Sequence, residues 1–140
     1  MKLAVWALVL AACSASTIPD FYGVRLGMSP RDVRERFAGG PGTWTSEATR
    51  DDYAVHWSAA SGHEGSLPDA AIFEFHTGAL VAVRADLPAS ASFASGRALI
   101  VTKSGVLKVS HASGKLHADL LARDCPTHAT EAAALAAAAP

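Results

Sequence analysis

Residues 71–86 read A-I-F-E-F-H-T-G-A-L-V-A-V-R-A-D and decide the fold. Successive side chains of a strand point to opposite sides, so Phe73 and Phe75 share one face of the first arm and their neighbours share the other. Thr77 and Gly78 separate this arm from a second apolar run. Two residues of this kind between two such runs predict a tight β-hairpin. The stretch therefore predicts an antiparallel sheet that buries the two phenylalanines.

Further strands are predicted on both sides of the hairpin. Tyr53, Val55 and Trp57 alternate with Ala54 and a histidine, which indicates a half-buried strand. Residues 58–68 are rich in Gly, Ser and Pro and are typical of a loop, and the small residues at 88–96 form a linker. The remaining β-like runs are 98–102, 106–110 and 115–123, with a Ser-Gly turn at 113–114.

A helix is predicted before the first strand. Ser29 is suited to the N-cap, and Pro30 follows at the first helical position, where its missing N–H costs nothing. Val33 and Phe37 are four residues apart and share one face of the helix. The Gly-Gly-Pro sequence at 39–41 is expected to end it.

A short helix is also predicted near the C-terminus, capped by Thr127 and running through Leu135, because alanine is the strongest helix former. One helix, then several antiparallel strands, then a short helix indicates the α+β class. The length suits a single domain, which we place at residues 21–140. Residues 96–140 would add the extra strands and the Ala-rich helix.

The N-terminal segment has the composition of an export signal. Lys2 gives a positive start, and residues 3–10 are apolar without interruption. A helix that crosses a bilayer needs about 20 apolar residues, so this run is too short to span one. We therefore predict that residues 1–12 are a signal peptide.

The end of this segment, Leu-Ala-Ala-Cys at 10–13, resembles the lipobox of bacterial lipoproteins. The resemblance implies that the Cys13 sulfur receives a diacylglyceryl group and that Cys13 becomes the first residue of the mature chain. Residues 13–20 would then be a tether. Because Ser14 rather than aspartate follows the cysteine, the resemblance favours the outer membrane. The alternative is an ordinary signal peptide in which Cys13 is incidental.

Several of these signals together resemble a known family. They are the run G-V-R-L-G-M-S at 23–29, the Gly-Gly-Pro at 39–41, the strand with Tyr53 and Trp57, and the hairpin pattern F-x-F-x-x-G-x-L-x-x-V. Residues 21–87 are similar to the SmpA/OmlA (BamE) group of small outer-membrane lipoproteins, and to the wider set of domains built like the β-lactamase-inhibitor protein. The resemblance implies a helix packed on a small antiparallel sheet.

Charge and cysteine content restrict the possible functions. The formal net charge is −1 and no basic stripe is present, so nucleic acid is not a predicted partner. The chain has two cysteines. If Cys13 carries lipid, Cys125 has no partner within the chain. Free cysteine behaves as a small apolar residue, so we expect Cys125 to be buried and inert.

No catalytic residue, metal site or cofactor is predicted. Cys125 and His128 have ligand-like spacing, but they supply two ligands where zinc needs three or four. A thiol–imidazole pair of Cys125 with His111, His117 or His128 is conceivable, although no nucleophile motif accompanies it. The aromatic residues of the strands are expected to pack in a core rather than to line a ligand groove.

The leading hypothesis is a lipid-anchored, non-enzymatic envelope protein on the periplasmic side of the outer membrane. It would bind the membrane through lipid on Cys13 and would present a strand edge or helix face to an envelope protein partner. One alternative is an inhibitor-like or ligand-binding module with an open aromatic sheet face. Another is a thiol-dependent hydrolase that uses Cys125.

Overall fold

The structure, a computed structural model, describes residues 20–48, 53–60, 65, 67–88 and 99–137. The predicted signal peptide at 1–12, Cys13 and the tether as far as residue 19 lie outside the described residues, as do residues 89–96 of the predicted linker. The elements in chain order are α1 (Pro30–Arg36), β1 (Gly42–Ala48), β2 (Tyr53–Ala59), β3 (Ala70–His76), β4 (Ala79–Pro88), β5 (Leu99–Val101), β6 (Gly105–Ala112), β7 (Lys115–Ala122) and α2 (Ala129–Ala137).

The seven described strands form one antiparallel sheet, in the order β1-β2-β3-β4-β7-β6-β5. The first four strands are neighbours in both sequence and space. The chain then crosses to the far side, and β7 returns to pair with β4. A sheet of this kind with two short helices confirms the α+β class, in an arrangement that is mostly sheet.

The predicted hairpin is formed by β3 and β4. Thr77 and Gly78 have φ values of 50° and 80°, as a two-residue turn of type I′ requires. Phe73 and Phe75 are buried on one face, in agreement with the alternation along β3. A register shift after Glu74 leaves one extra residue, Val81, in β4. Such bulges change the direction in which side chains point, and Val81 belongs to a small buried cluster with Ala122 and Cys125.

Helix α1 begins as predicted. The Ser29 hydroxyl accepts a hydrogen bond from the Asp32 N–H at 3.1 Å, and Pro30 occupies the first turn. The helix ends at Arg36, earlier than the expected stop at Gly39. Phe37 is already extended, with ψ of 117°.

The early end of α1 has a structural cause. The Ala38 N–H donates to the Tyr22 carbonyl at 2.8 Å, so the chain leaves the helical hydrogen-bond pattern at this point. The extended conformation at Phe37 turns its ring into a group of aromatic side chains. The contacts of Ala38 with Tyr22 and of Phe37 with the aromatic rings join residues that are distant in sequence. The Gly-Gly-Pro signal at 39–41 therefore did not predict them.

The larger core lies on one sheet face and is aromatic at its centre. Trp57 and Phe73 are buried to 1% exposure or less. The Phe37 ring centroid lies 4.9 Å from that of Trp57 and 5.0 Å from that of Phe73, both in edge arrangements. Val33 of α1 belongs to the same cluster, and Trp44 packs against it. The prediction that these aromatic residues form a core is confirmed.

The opposite sheet face carries a smaller apolar cluster. Ala82, Val106 and Leu121 pack there with Ala132, which is the fully buried residue of α2. The helix starts one residue later than a Thr127 cap would place it and continues beyond Leu135. Leu135 and Ala136 of α2 also pack against this cluster but are only partly buried. The one fully buried side chain of α2 is thus an alanine methyl, so the apolar contact between α2 and the sheet is small. Polar contacts therefore matter for its position.

Candidate functional site

Charged side chains gather on the sheet face that carries α2. Alternation along the strands places Glu74 of β3, Arg84 of β4 and Asp119 of β7 on this face, and the register sets Arg84 directly opposite Asp119. Glu131 in the first turn of α2 approaches the same place. One guanidinium is thus surrounded by three carboxylates from three different elements.

Arg84 links α2 to the sheet. Its Nη1 and Nη2 donate to the two carboxylate oxygens of Glu131, both at 2.9 Å, which is a bidentate pair. Nη1 also lies 3.4 Å from Asp119 Oδ1, and Nε lies 3.6 Å from Glu74 Oε1. The hydrogen bond to Glu131 raises the pKa of Arg84, and the same bond lowers the pKa of Glu131. This guanidinium serves as a clamp between helix and sheet.

A second chain of contacts runs from the sheet to a thiol. His128 Nε2 lies 2.6 Å from Glu74 Oε2, and His128 Nδ1 lies 3.5 Å from Cys125 Sγ. An ionised carboxylate only accepts hydrogen bonds, so Nε2 is the donor to Glu74. In the neutral ring the lone pair of Nδ1 then faces the sulfur. Cys125 and His128 are 4% and 8% exposed.

The local chain geometry fixes this pair. The His128 and Ala129 N–H groups both donate to the Cys125 carbonyl, at 3.0 and 2.8 Å, and the resulting turn leads directly into α2. Val81 and Ala122 pack beside Cys125 in one small cluster. A thiol that faces an imidazole, which is itself oriented by a carboxylate, is the arrangement that activates cysteine nucleophiles.

A cavity of about 330 Å³ opens on the same sheet face. Its floor includes Ile72, and its polar lining includes Arg84 and Asp119. His117 Nδ1 lies 2.5 Å from Asp86 Oδ1 at another part of this lining. The polar groups of the cavity thus pair with one another across neighbouring strands.

Strand β1 forms one edge of the described sheet and is exposed along most of its length. The Ala60 N–H donates to the Pro41 carbonyl at 2.9 Å. Hydrogen-bonded pairs recur every second residue in an antiparallel ladder, so the backbone of Thr45 also faces β2. The N–H and C=O groups of Trp44 and Ser46 consequently point away from the sheet.

The predicted site residues have different outcomes. Cys13 lies outside the described residues. The prediction that Cys125 is buried is confirmed, and of its three candidate partners the structure brings His128 to it. His117 pairs with an aspartate instead, and His111 is exposed on β6. Within the described ranges, no group of three or more His, Cys, Asp or Glu residues is arranged to hold a metal ion.

Sequence reasoning missed Glu74 and Arg84. The available signal was positional, because each is a charged residue inside a largely apolar strand and both fall opposite the buried face. Their mutual contact lies within the β3–β4 hairpin, whereas the contacts with His128 and Glu131 depend on the return of the chain after β7.

Comparisons with protein-family models, with curated proteins and with solved structures found no match to this chain. Neither described helix has the length and apolar character needed to cross a membrane.

Proposed function

We propose that this chain is a lipid-anchored envelope protein whose domain binds another envelope protein without catalysing a reaction. Lipid on Cys13 would hold it to the membrane, with the domain on the periplasmic side of the outer membrane. The apolar run and Leu-Ala-Ala-Cys ending of the N-terminal segment support the anchor. The SmpA/OmlA (BamE)-like pattern at 21–87 supports the location at the outer membrane. It also supports α1 as a layer packed on the sheet.

The exposed edge of β1 is the observation that carries the binding proposal. A sheet edge presents a row of backbone donors and acceptors that a partner strand can use. Natural edges are often blocked by proline, by charged side chains such as lysine, or by a bulge. Gly42–Ala48 contains neither proline nor a bulge, and Glu47 is its one charged residue. The opposite edge, β5, has only three residues. An extended segment of an envelope protein is therefore expected to pair with β1.

The buried aromatic face favours edge pairing over the ligand-binding alternative. That alternative requires an open, concave sheet face lined by aromatic side chains. Trp57, Phe73 and Phe75 are instead among the most deeply buried side chains of the described residues. The strand edge is thus the better-supported binding surface.

The test compares two substitutions at one position. Ser46→Pro removes an N–H that points away from β2, so the β1–β2 ladder keeps its hydrogen bonds. Ser46→Thr keeps that N–H and is the matched control. A photo-crosslinking amino acid at Thr43 would report the partner in intact membranes. We expect Ser46→Pro to lose the crosslinked product and Ser46→Thr to keep it.

Two results would reject edge pairing. One is an unchanged crosslinked product with Ser46→Pro in a protein whose circular dichroism matches the wild type. The other is equal loss with both substitutions, which would indicate that the side chain of Ser46 rather than its backbone contacts the partner. Neither result bears on the lipid anchor, which has a separate test.

A further inference from the structure

We propose that Cys125 is a peroxide-reactive thiol, with His128 as its base and Glu74 as the residue that positions the base. The reaction itself depends neither on the lipid anchor nor on the partner that binds β1, whereas the persistence of its product rests on the proposed lipid on Cys13. It assigns a modification site to the turn that precedes α2. The substrate class is a small hydroperoxide.

The geometry supplies a nucleophile and a base in contact. Cys125 Sγ and His128 Nδ1 are 3.5 Å apart, within reach for a sulfur hydrogen bond. Because Nε2 donates to Glu74 at 2.6 Å, the neutral ring presents its unprotonated nitrogen to the thiol. The turn that joins the two residues keeps them close together, because the His128 N–H donates to the Cys125 carbonyl at 3.0 Å.

The burial of Cys125 restricts its reaction to small molecules. Cys125 is 4% exposed, so only a narrow part of its surface meets solvent. Val81 and Ala122 are buried beside it, and Leu26 packs against the same cluster. A peptide or ester substrate does not fit such a restricted approach, whereas hydrogen peroxide is close to water in size. The restricted approach therefore favours peroxide over acyl transfer.

The reaction is balanced without any further reactant. His128 Nδ1 accepts the thiol proton as the sulfur attacks one oxygen of the hydroperoxide. The S–O bond forms and the O–O bond breaks. The leaving hydroxide or alkoxide takes the proton from His128 and departs as water or alcohol. The sulfur is oxidised by two electrons to sulfenic acid while the peroxide is reduced.

The sulfenic acid has no second thiol of the same chain to react with. Cys13 is the other cysteine of the sequence, and lipid on its sulfur would block it. The product is thus expected to persist until an external thiol reduces it. Persistence makes the product accessible to chemical trapping.

The test uses the full chain, hydrogen peroxide and the sulfenic-acid reagent dimedone. The rate of adduct formation at Cys125 is measured by peptide mass spectrometry. We expect the native chain to react at least about tenfold faster than the same chain unfolded in urea, and His128→Gln to slow the native reaction on the order of 10²-fold. His117→Gln alters another His–carboxylate pair on the same face and should leave the rate unchanged.

Glu74 is tested as a positioning residue. Glu74→Gln keeps an acceptor for the Nε2 hydrogen of His128, whereas Glu74→Leu keeps the bulk without the acceptor. Both variants remove the same charge beside Arg84, so a difference between their rates reports the orientation of the imidazole. We expect the glutamine variant to stay close to the wild-type rate and the leucine variant to slow as His128→Gln does.

Three outcomes would overturn the proposal. They are a native rate no higher than the rate in urea, a wild-type rate in a folded His128→Gln chain, or equal rates for the two Glu74 variants. If His128→Gln fails to fold, as judged by circular dichroism, the comparison of native and urea-unfolded wild type still decides. If Cys125 is merely buried, the native chain should react more slowly than the unfolded chain. If His128 activates the thiol, the native chain should react faster.

Discussion

The clamp between Arg84 and Glu131 should make the stability of this domain depend on pH, and Glu131→Gln tests it directly. The substitution keeps the size of the side chain and removes its charge. It leaves Arg84 in contact with Asp119 and Glu74, so the guanidinium keeps two carboxylate partners. The change therefore isolates one ion pair between α2 and the sheet.

The contact geometry sets the expected magnitude. Two parallel hydrogen bonds of 2.9 Å join Arg84 to Glu131, but the side chains are 32% and 46% exposed. Exposed ion pairs stabilise proteins by about 0.2–1 kcal/mol, and bidentate geometry places this pair near the upper limit. We expect Glu131→Gln to lower the free energy of unfolding at pH 7 by about 1 kcal/mol.

The sign of the pH dependence follows from the pKa of Glu131. The hydrogen bond from Arg84 lowers this pKa in the folded chain, against an opposing effect of burial. A carboxylate with a lowered folded pKa stabilises the protein above its unfolded pKa, which is about 4.3 for glutamate. The stabilisation is lost as the pH falls through the folded pKa. The difference in stability between the variant and the wild type should therefore be smaller at pH 2.5 than at pH 7.

Urea unfolding followed by circular dichroism at both pH values measures this difference. Glu35→Gln is the matched control, because Arg31 Nε also donates to Glu35 at 2.9 Å but the two side chains are 85% and 56% exposed. The control should lose only about 0.2–0.5 kcal/mol at pH 7. A Glu131→Gln effect equal at the two pH values, or no larger than that of the control, would refute the clamp.

Three further predictions concern the core, the β1–β2 contact and the anchor. Trp57→Ala removes one of the largest fully buried side chains and should lower the free energy of unfolding by about 3–5 kcal/mol in urea titrations; a loss below 1 kcal/mol would contradict the core. Gly42→Ala would set a Cβ against Trp57 Nε1 and the Ser58 backbone oxygen, and should cost about 1–3 kcal/mol by the same assay, whereas a neutral result would contradict this close approach. Cys13→Ser should leave the signal uncleaved or release the protein from membranes, as intact mass and fractionation report; unchanged processing and sedimentation would reject the anchor.

The strands and turns were predictable where their signals are local. Phe73 and Phe75 alternate with polar residues, and the Thr-Gly pair that follows supports a two-residue turn, so β3 and β4 could be placed from sequence alone. The cap of α1 is equally local, since Ser29 and Asp32 are three residues apart. Each of these features depends on residues that are close in the chain.

Strand β1 and the sheet order required long-range information. Within Gly42–Ala48 only Trp44 is partly buried, so the strand lacks the alternation that marks β2. Nothing local indicates that β7 pairs with β4, because β5 and β6 lie between these two strands in the sequence. The predicted end of α1 at Gly39 was wrong for the same reason, because the helix ends at Arg36, where the hydrogen bond from the Ala38 N–H to the Tyr22 carbonyl takes the chain out of the helical pattern.

Glu74 connects the two polar features of the sheet face. Its Oε1 lies 3.6 Å from Arg84 Nε and its Oε2 lies 2.6 Å from His128 Nε2, so one carboxylate contacts both the clamp and the base beside Cys125. Arg84 limits the freedom of Glu74, and Glu74 in turn sets the orientation of the imidazole. The attachment of α2 and the reactivity of Cys125 should therefore be coupled through this residue. Because Glu131→Gln leaves both oxygens of Glu74 in place, it should weaken the attachment of α2 while largely sparing the thiol chemistry, whereas Glu74→Leu should impair both.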